Sequence, residues 1–151
     1  MKIFKPLVGF LIGLMILSVV AGLLFPTIIS LLEYSSFLYL LVCFGTAAHF
    51  LEEDFTKAWE VESEIRETSL YGKPFFVMFS HTIVLLSFLF YFPIAAGVPW
   101  AMIYGLGVTL NGIGNGIVHL GILVRYRKNT GVFSGIFLLI VGLLLLVSLF
   151  I

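Results

Sequence analysis

The sequence predicts an all-α membrane protein, a polytopic helix bundle with five transmembrane helices and one short interfacial helix. Of its 151 residues, 61% are apolar and only 11% are charged, whereas soluble domains carry roughly 25% charged residues. The mean hydropathy is +1.18. Because long apolar segments alternate with short polar connections, we expect one membrane domain over residues 1–151, surrounded by membrane lipids.

Five apolar segments are candidates for the spans, since a helix needs about 20 apolar residues to cross a bilayer. They cover residues 6–32, 35–51, 74–95, 98–124 and 131–151. The first continues well past a weak cleavage-like site, so we interpret it as an uncleaved membrane helix. The second is short unless its polar end is also helical. The connection 52–73 is predicted to be cytoplasmic and to contain the interfacial helix.

The positions of the basic residues predict the orientation. With a cytoplasmic N-terminus, all eight Lys and Arg residues lie on the cytoplasmic side, and the outer connections contain none. This asymmetry predicts an integral protein of the cell membrane with its N-terminus inside and its C-terminus outside. The formal net charge is zero and no basic run is present, which argues against a nucleic-acid partner.

The stretch "AAHFLEEDF" places ionisable residues where a hydrophobic helix should end. His49, Glu52 and Glu53 have i, i+3 and i+4 spacing, so they share one face of a helix. His81 on the third span and His119 on the fourth both lie roughly 9–12 Å inside the cytoplasmic boundary, at 1.5 Å per residue. All three histidines therefore fall in one layer of the membrane.

The stretch "LNGIGNGIVH" on the fourth span forms a polar stripe beside a groove of small residues. Asn111, Asn115 and His119 follow one another at i+4, with Gly112 and Gly116 beside them. Small residues at this spacing let a neighbouring helix approach closely. We expect the second and fourth spans to be neighbours, with their imidazoles within about 7 Å of each other, as shared metal ligands require.

These blocks resemble the HXXEE-domain membrane proteins of bacteria and archaea. "HFLEEDF" carries the motif that names the family, at His49, Glu52 and Glu53. "NGIVHLGILVRYRKNTG" is similar to a later block of that family, in which an Asn precedes a His by four residues, here Asn115 and His119. That block typically ends in Tyr-x-Pro-Gly, whereas this chain has "KNTG" without a proline. The resemblance implies which residues matter but supplies no reaction.

Two imidazoles and two carboxylates at a membrane boundary suit a divalent metal site, with Zn²⁺ or Fe²⁺ as the expected ion. Glu52 and Glu53 differ by about 100° around the helix. A single ion would therefore take His49, His119 and one Glu, and the second Glu would act as general base or hold a ligand in place. A centre with two ions would use both Glu residues and recruit His81. Asn115 and Asn111 would orient a ligand or bridge helices.

The interpretation as a metal site predicts a small intramembrane metalloenzyme, hydrolytic or oxidative, with a lipid-like amphiphilic substrate from the cytoplasmic leaflet. Three other interpretations stay open. The charges could mark the end of the helix, with Glu53 pairing with Lys57. The cluster could relay protons or bind a cation in a transporter. It could also be the structural polar core of a non-catalytic membrane subunit. No oligomeric state follows from the sequence.

Overall fold

The computed structural model of the protein describes residues 35–65 and 72–149, and over these residues the fold is all-α. It contains five helices and no strand within these two ranges. The helices are α1 (Ser36–Thr56), α2 (Ala58–Ile65), α3 (Lys73–Ala95), α4 (Pro99–Tyr126) and α5 (Val132–Ser148). The predicted first span, 6–32, lies outside the described residues.

Helix α1 extends beyond the predicted second span and carries the motif on its last turns. Ser35 caps its start, because the Leu38 N–H donates to the Ser35 hydroxyl and leaves fewer amides without a partner. The helix continues to Thr56, five residues past the predicted bound of 51. Lys57 then adopts a left-handed conformation with φ of 52°, which ends α1 and starts the short helix α2.

Helices α3 and α4 match the predicted third and fourth spans to within two residues. Pro74 lies in the first turn of α3 and Pro99 begins α4, positions where proline lacks only an amide that would be unpaired anyway. Gly97, with φ of 72°, makes the tight turn between them. The two helices are antiparallel, and Phe90 stacks on Tyr104 with ring centroids 4.2 Å apart.

Helix α5 packs between α1 and α4 and holds them together. The small-residue groove predicted on α4 receives this helix: an added Cβ on Gly116 would lie 2.4 Å from the Gly135 carbonyl oxygen. An added Cβ on Gly112 or on Gly45 of α1 would meet Leu138. The prediction that α1 and α4 are neighbours holds, but the closest partner of each glycine face is α5.

Two helices of the described chain, α3 and α4, are long and apolar enough to cross a membrane. In their most apolar windows, only 22% and 33% of the residues are buried inside the protein. A helix in the core of a soluble protein would be mostly buried. Large apolar side chains are exposed on all four long helices, among them Phe37, Phe92, Val124 and Phe133.

Candidate metal centre

Three buried side chains from two helices converge at one end of the bundle. His49 and Glu53 lie one turn apart on α1, and His119 approaches them from α4. Glu53 Oε1 is 3.4 Å from His49 Nε2 and 3.0 Å from His119 Nε2. The centroids of the two imidazole rings are 4.8 Å apart, within the separation predicted from the sequence. His49, Glu53 and His119 are 0%, 5% and 1% exposed.

The spacing of these donor atoms fits a single divalent ion. Two ligands held about 2.1 Å from zinc at a tetrahedral angle stand about 3.4 Å apart. The two measured separations from Glu53 Oε1 lie close to this value, and one donor atom from each of the three residues lies within 4.8 Å of the others. Two imidazole nitrogens and one carboxylate oxygen can therefore hold a metal ion here.

One nitrogen of the cluster lacks a hydrogen-bond partner among the described residues. His49 Nε2 is buried and faces Glu53 Oε1, but the two atoms do not meet in hydrogen-bonding geometry. A buried polar atom without a partner costs about 1–3 kcal/mol. A cation between this nitrogen and the carboxylate would remove that cost.

Glu52 lies beside the cluster but points to the start of α5. Its Oε1 accepts a hydrogen bond from the Phe133 amide at 3.2 Å, and its Oε2 accepts one from the Ser134 amide at 2.8 Å. The Ser134 hydroxyl also donates to Oε2. A carboxylate at a helix N-terminus is stabilised by the amides that have no partner within the helix. Of the two motif carboxylates, only Glu53 thus joins the imidazoles.

The Nδ1 atoms of both imidazoles contact hydroxyl groups that no sequence pattern predicted. His49 Nδ1 lies 3.0 Å from Ser134 Oγ, and His119 Nδ1 lies 2.7 Å from Thr130 Oγ1. With Nδ1 held, each ring turns its Nε2 toward Glu53. Thr130 and Ser134, which follow the basic residues after α4, were the only hint of these contacts in the sequence. Ser and Thr are common at helix starts for capping alone, so their presence did not predict a contact with the imidazoles.

Glycines of α5 let its backbone lie directly against the cluster. Gly131 has φ of 113°, and an added Cβ there would lie 3.1 Å from both Glu53 Cγ and His49 Cε1. At Gly135 an added Cβ would lie 3.7 Å from His49 Cε1. The residue before α5 therefore closes the cluster on one side, and a larger residue there would collide with it.

The two carboxylates have opposite electrostatic environments, although they are neighbours in sequence just beyond the apolar segment 35–51. Burial raises the pKa of Glu53 above its ordinary value, and the hydrogen bond with His119 opposes this only in part. Burial also acts to raise the pKa of Glu52, but the hydrogen bonds from Ser134 and Phe133 outweigh it and the net pKa is lowered. Glu53 is therefore the carboxyl that retains a proton more readily when no cation is bound.

The other predicted site residues lie apart from the three ligands. His81 is exposed on α3, and its Nδ1 lies 2.7 Å from the Val77 carbonyl oxygen. It lines a groove of about 830 Å³ between α1 and α3, together with Asp54 and Lys73. Asn115 is half-buried and Asn111 is exposed on α4. The described residues provide a hydrogen-bond partner for neither Asn side chain.

The fold and the cluster define a helical protein with a buried site of two His and one Glu, built around an H-x-x-E-E sequence. The chain matches, over residues 40–146, the family described as proteins of unknown function with an HXXEE motif, and it belongs to that family. The match includes His49, Glu53 and His119 and both residues whose hydroxyl groups contact the imidazoles. No curated protein and no solved structure matches the chain.

Proposed function

We propose that this protein is a small integral membrane protein that binds one divalent cation between α1 and α4. The observation that carries the proposal is the convergence of His49, Glu53 and His119 in a buried site whose donor spacing suits one ion. A carboxylate buried in a low-dielectric site needs a positive partner. Within residues 35–65 and 72–149, only the two imidazoles pair with Glu53, since Lys57 pairs with Glu60.

The donor set favours Zn²⁺ or Fe²⁺. Imidazole nitrogen and carboxylate oxygen suit both ions, and three protein ligands leave a coordination position for water or substrate. Structural zinc sites usually use four protein ligands, so a three-ligand site is better suited to catalysis. His81, on another face of the bundle, is not needed for a centre with one ion.

We further propose that the ion serves a hydrolytic or oxidative reaction on an amphiphilic, lipid-like substrate. A bound zinc or iron ion supplies a Lewis acid that polarises a substrate oxygen or lowers the pKa of water. Glu53 would hold the ion through Oε1, which leaves its second oxygen as the candidate proton acceptor. Glu52 is less suited to that role, because both of its oxygens accept hydrogen bonds from α5.

The membrane setting is part of the same proposal. Exposed apolar side chains on the four long helices suit contact with lipid. The basic residues Lys57, Lys73, Arg125 and Lys128 lie at the ends of α1, α3 and α4 or just beyond them, at the end of the bundle that holds the cluster. We propose that this end is cytoplasmic, that the N-terminus is inside, and that five helices span the membrane.

Metal analysis of the purified protein tests the proposal. Protein prepared without chelator, or reloaded with zinc or with iron(II) under anaerobic conditions, should hold one ion per chain. His49→Ala and His119→Ala should each abolish binding, because two remaining ligands hold an ion poorly. His81→Ala is the matched control and should bind like the wild type. If the wild-type protein holds no ion and takes none up, the metal-site proposal fails.

A further inference from the structure

We propose that Glu52 and Ser134 are positioning residues that fix the tautomer of His49, so that its Nε2 presents a lone pair to the centre. The inference deepens the proposed function, because it states how the second motif carboxylate serves the metal site. The tautomer of His49 can also be measured in the metal-free protein, so the inference can be tested even if no ion binds.

The direction of the hydrogen bonds follows from the number of protons available. Ser134 has one hydroxyl proton, and its oxygen contacts both Glu52 Oε2 and His49 Nδ1. An ionised carboxylate can only accept a hydrogen bond, so the hydroxyl proton points to Glu52. The Ser134 oxygen must then accept from His49, which requires the proton of the neutral imidazole to be on Nδ1. His49 Nε2 is left with its lone pair, the form that binds a metal ion.

Glu52 is held firmly enough to impose this direction. The Phe133 and Ser134 amides both donate to it, and they belong to the first turn of α5, where they have no acceptor within the helix. Asn129 Oδ1 accepts from the Gly131 and Val132 amides. Together, these two acceptors satisfy the amides at the start of α5. The carboxylate therefore cannot turn away without leaving helix amides unpaired.

The second imidazole has a different constraint, because its Nε2 lies 3.0 Å from Glu53 Oε1. His119 Nδ1 contacts the Thr130 hydroxyl, which among the described residues has no carboxylate partner to fix the direction of its proton. Thr130 can donate to His119 or accept from it, so His119 can donate from Nε2 to an ionised Glu53 or accept at Nε2 from a protonated Glu53. The site thus has one imidazole set in advance for metal binding and one that can adapt when the ion arrives.

Two substitutions should disrupt the hydrogen bonds that fix the tautomer of His49, each in a different way. Ser134→Ala removes the oxygen that accepts the Nδ1 proton of His49. Glu52→Ala removes both carboxylate oxygens, so the Ser134 hydroxyl proton can turn toward His49 Nδ1. Both changes favour the tautomer with the proton on Nε2. Ser134→Thr keeps the hydroxyl and should restore the wild-type tautomer. Ser148→Ala removes a hydroxyl in α5 that donates to the Leu145 carbonyl, away from the site, and is the matched control.

Nitrogen NMR of protein labelled with ¹⁵N-histidine, in metal-free form, measures the tautomer directly. The chain has three histidines, so single His→Ala variants assign the signals. Zinc titration against a chromophoric chelator gives the affinity of each variant. We expect Nδ1-protonated His49 in the wild type and in the Thr and Ser148 variants. In Ser134→Ala and Glu52→Ala we expect Nε2-protonated His49 and zinc binding weakened by about 10- to 100-fold, as is usual when a residue that orients a ligand is lost.

The tautomer of His49 in the metal-free protein distinguishes failure of this inference from failure of the metal-site proposal. The inference is supported if His49 is protonated on Nδ1 in the wild type and on Nε2 in the variants. This result supports it even if no zinc binds, and then only the metal-site proposal fails. If Ser134→Ala and Glu52→Ala leave the tautomer of His49 unchanged, the inference is overturned. That holds even if the variants are less stable or bind zinc more weakly, since Glu52 would then act only as a cap for α5.

Discussion

Replacing Gly116 with alanine should weaken both the packing of α4 on α5 and the binding of zinc. The added Cβ would lie 2.4 Å from the Gly135 carbonyl oxygen and 3.0 Å from Leu139 Cβ. Because the first neighbour is backbone, no side-chain rotation can relieve the overlap. Restoring even a separation of 3.0 Å requires the helices to move apart by about 0.6 Å.

The magnitude follows from two opposing terms. Inserting a methyl group into a filled contact costs about 1–3 kcal/mol, while the change from Gly to Ala in a helix gains about 0.8–1.0 kcal/mol. Gly114→Ala has only the second term, because Gly114 is on the same helix and an added Cβ there meets nothing within 4 Å. The difference between the two variants therefore isolates the first term. Gly116→Ala should therefore be less stable than Gly114→Ala by about 1–3 kcal/mol.

The displacement should also reach the metal centre. His119 is three residues from Gly116 on α4, and its Nε2 is 3.0 Å from Glu53 Oε1 on α1. A shift of about 0.6 Å is a fifth of that distance, so zinc affinity should fall as well. Unfolding by SDS in mixed micelles would give the free energies, and chelator competition the affinities. Equal stability of the two alanine variants would refute the claim that the helices are in backbone contact at Gly116.

Three further predictions concern the loop, the carboxyl group and the orientation. Gly131→Ala should lower stability and zinc affinity more than Gly97→Ala. Both glycines have positive φ, but only at Gly131 would the added methyl group lie against Glu53. Equal losses of zinc affinity in the two variants would contradict this. Zinc affinity should fall as the pH is lowered, because burial raises the pKa of Glu53 and a proton competes with the ion for its oxygen. Titrations between about pH 5 and 8 would measure this, and Glu53→Gln, itself a weaker binder, should have a flatter profile. A cysteine at Val98 should react with an impermeant maleimide added outside the cell and one at Asn129 should not; the opposite pattern would reverse the proposed orientation. Cys43 is fully buried, so the native thiol should give little background.

The sequence predicted the site to the level of helix faces and depth. The spacing of His49 and Glu53, and the similar depth of His119, correctly indicated that these side chains could meet. The angle between Glu52 and Glu53 predicted that a single ion would take only one of them, and this stays a prediction. It did not indicate which Glu lies against the imidazoles, since each is within 60° of His49 around the helix. That choice depends on the start of α5, which attracts Glu52 through contacts about 80 residues distant along the chain.

His81 illustrates the limit of an argument from depth. It was placed in the same layer as the other histidines, but its direction around α3 turns it into the groove with Asp54 and Lys73. The relative rotation of two helices is set by packing, which the spacing of one polar residue does not determine. In the same way, the glycines of α4 predicted a close neighbour, but not that the neighbour would be α5.

The contacts of Glu52 with α5 also bear on the order in which the protein becomes functional. During synthesis α1 emerges first and α5 last of the described helices, so His49, Glu53 and His119 are all made before Ser134. A chain that has reached only α4 would contain all three residues of the cluster but not the hydroxyl groups that contact the two imidazoles. The proposed ion would therefore bind stably only once α5 has packed against α1 and α4, so its binding would mark the completed bundle.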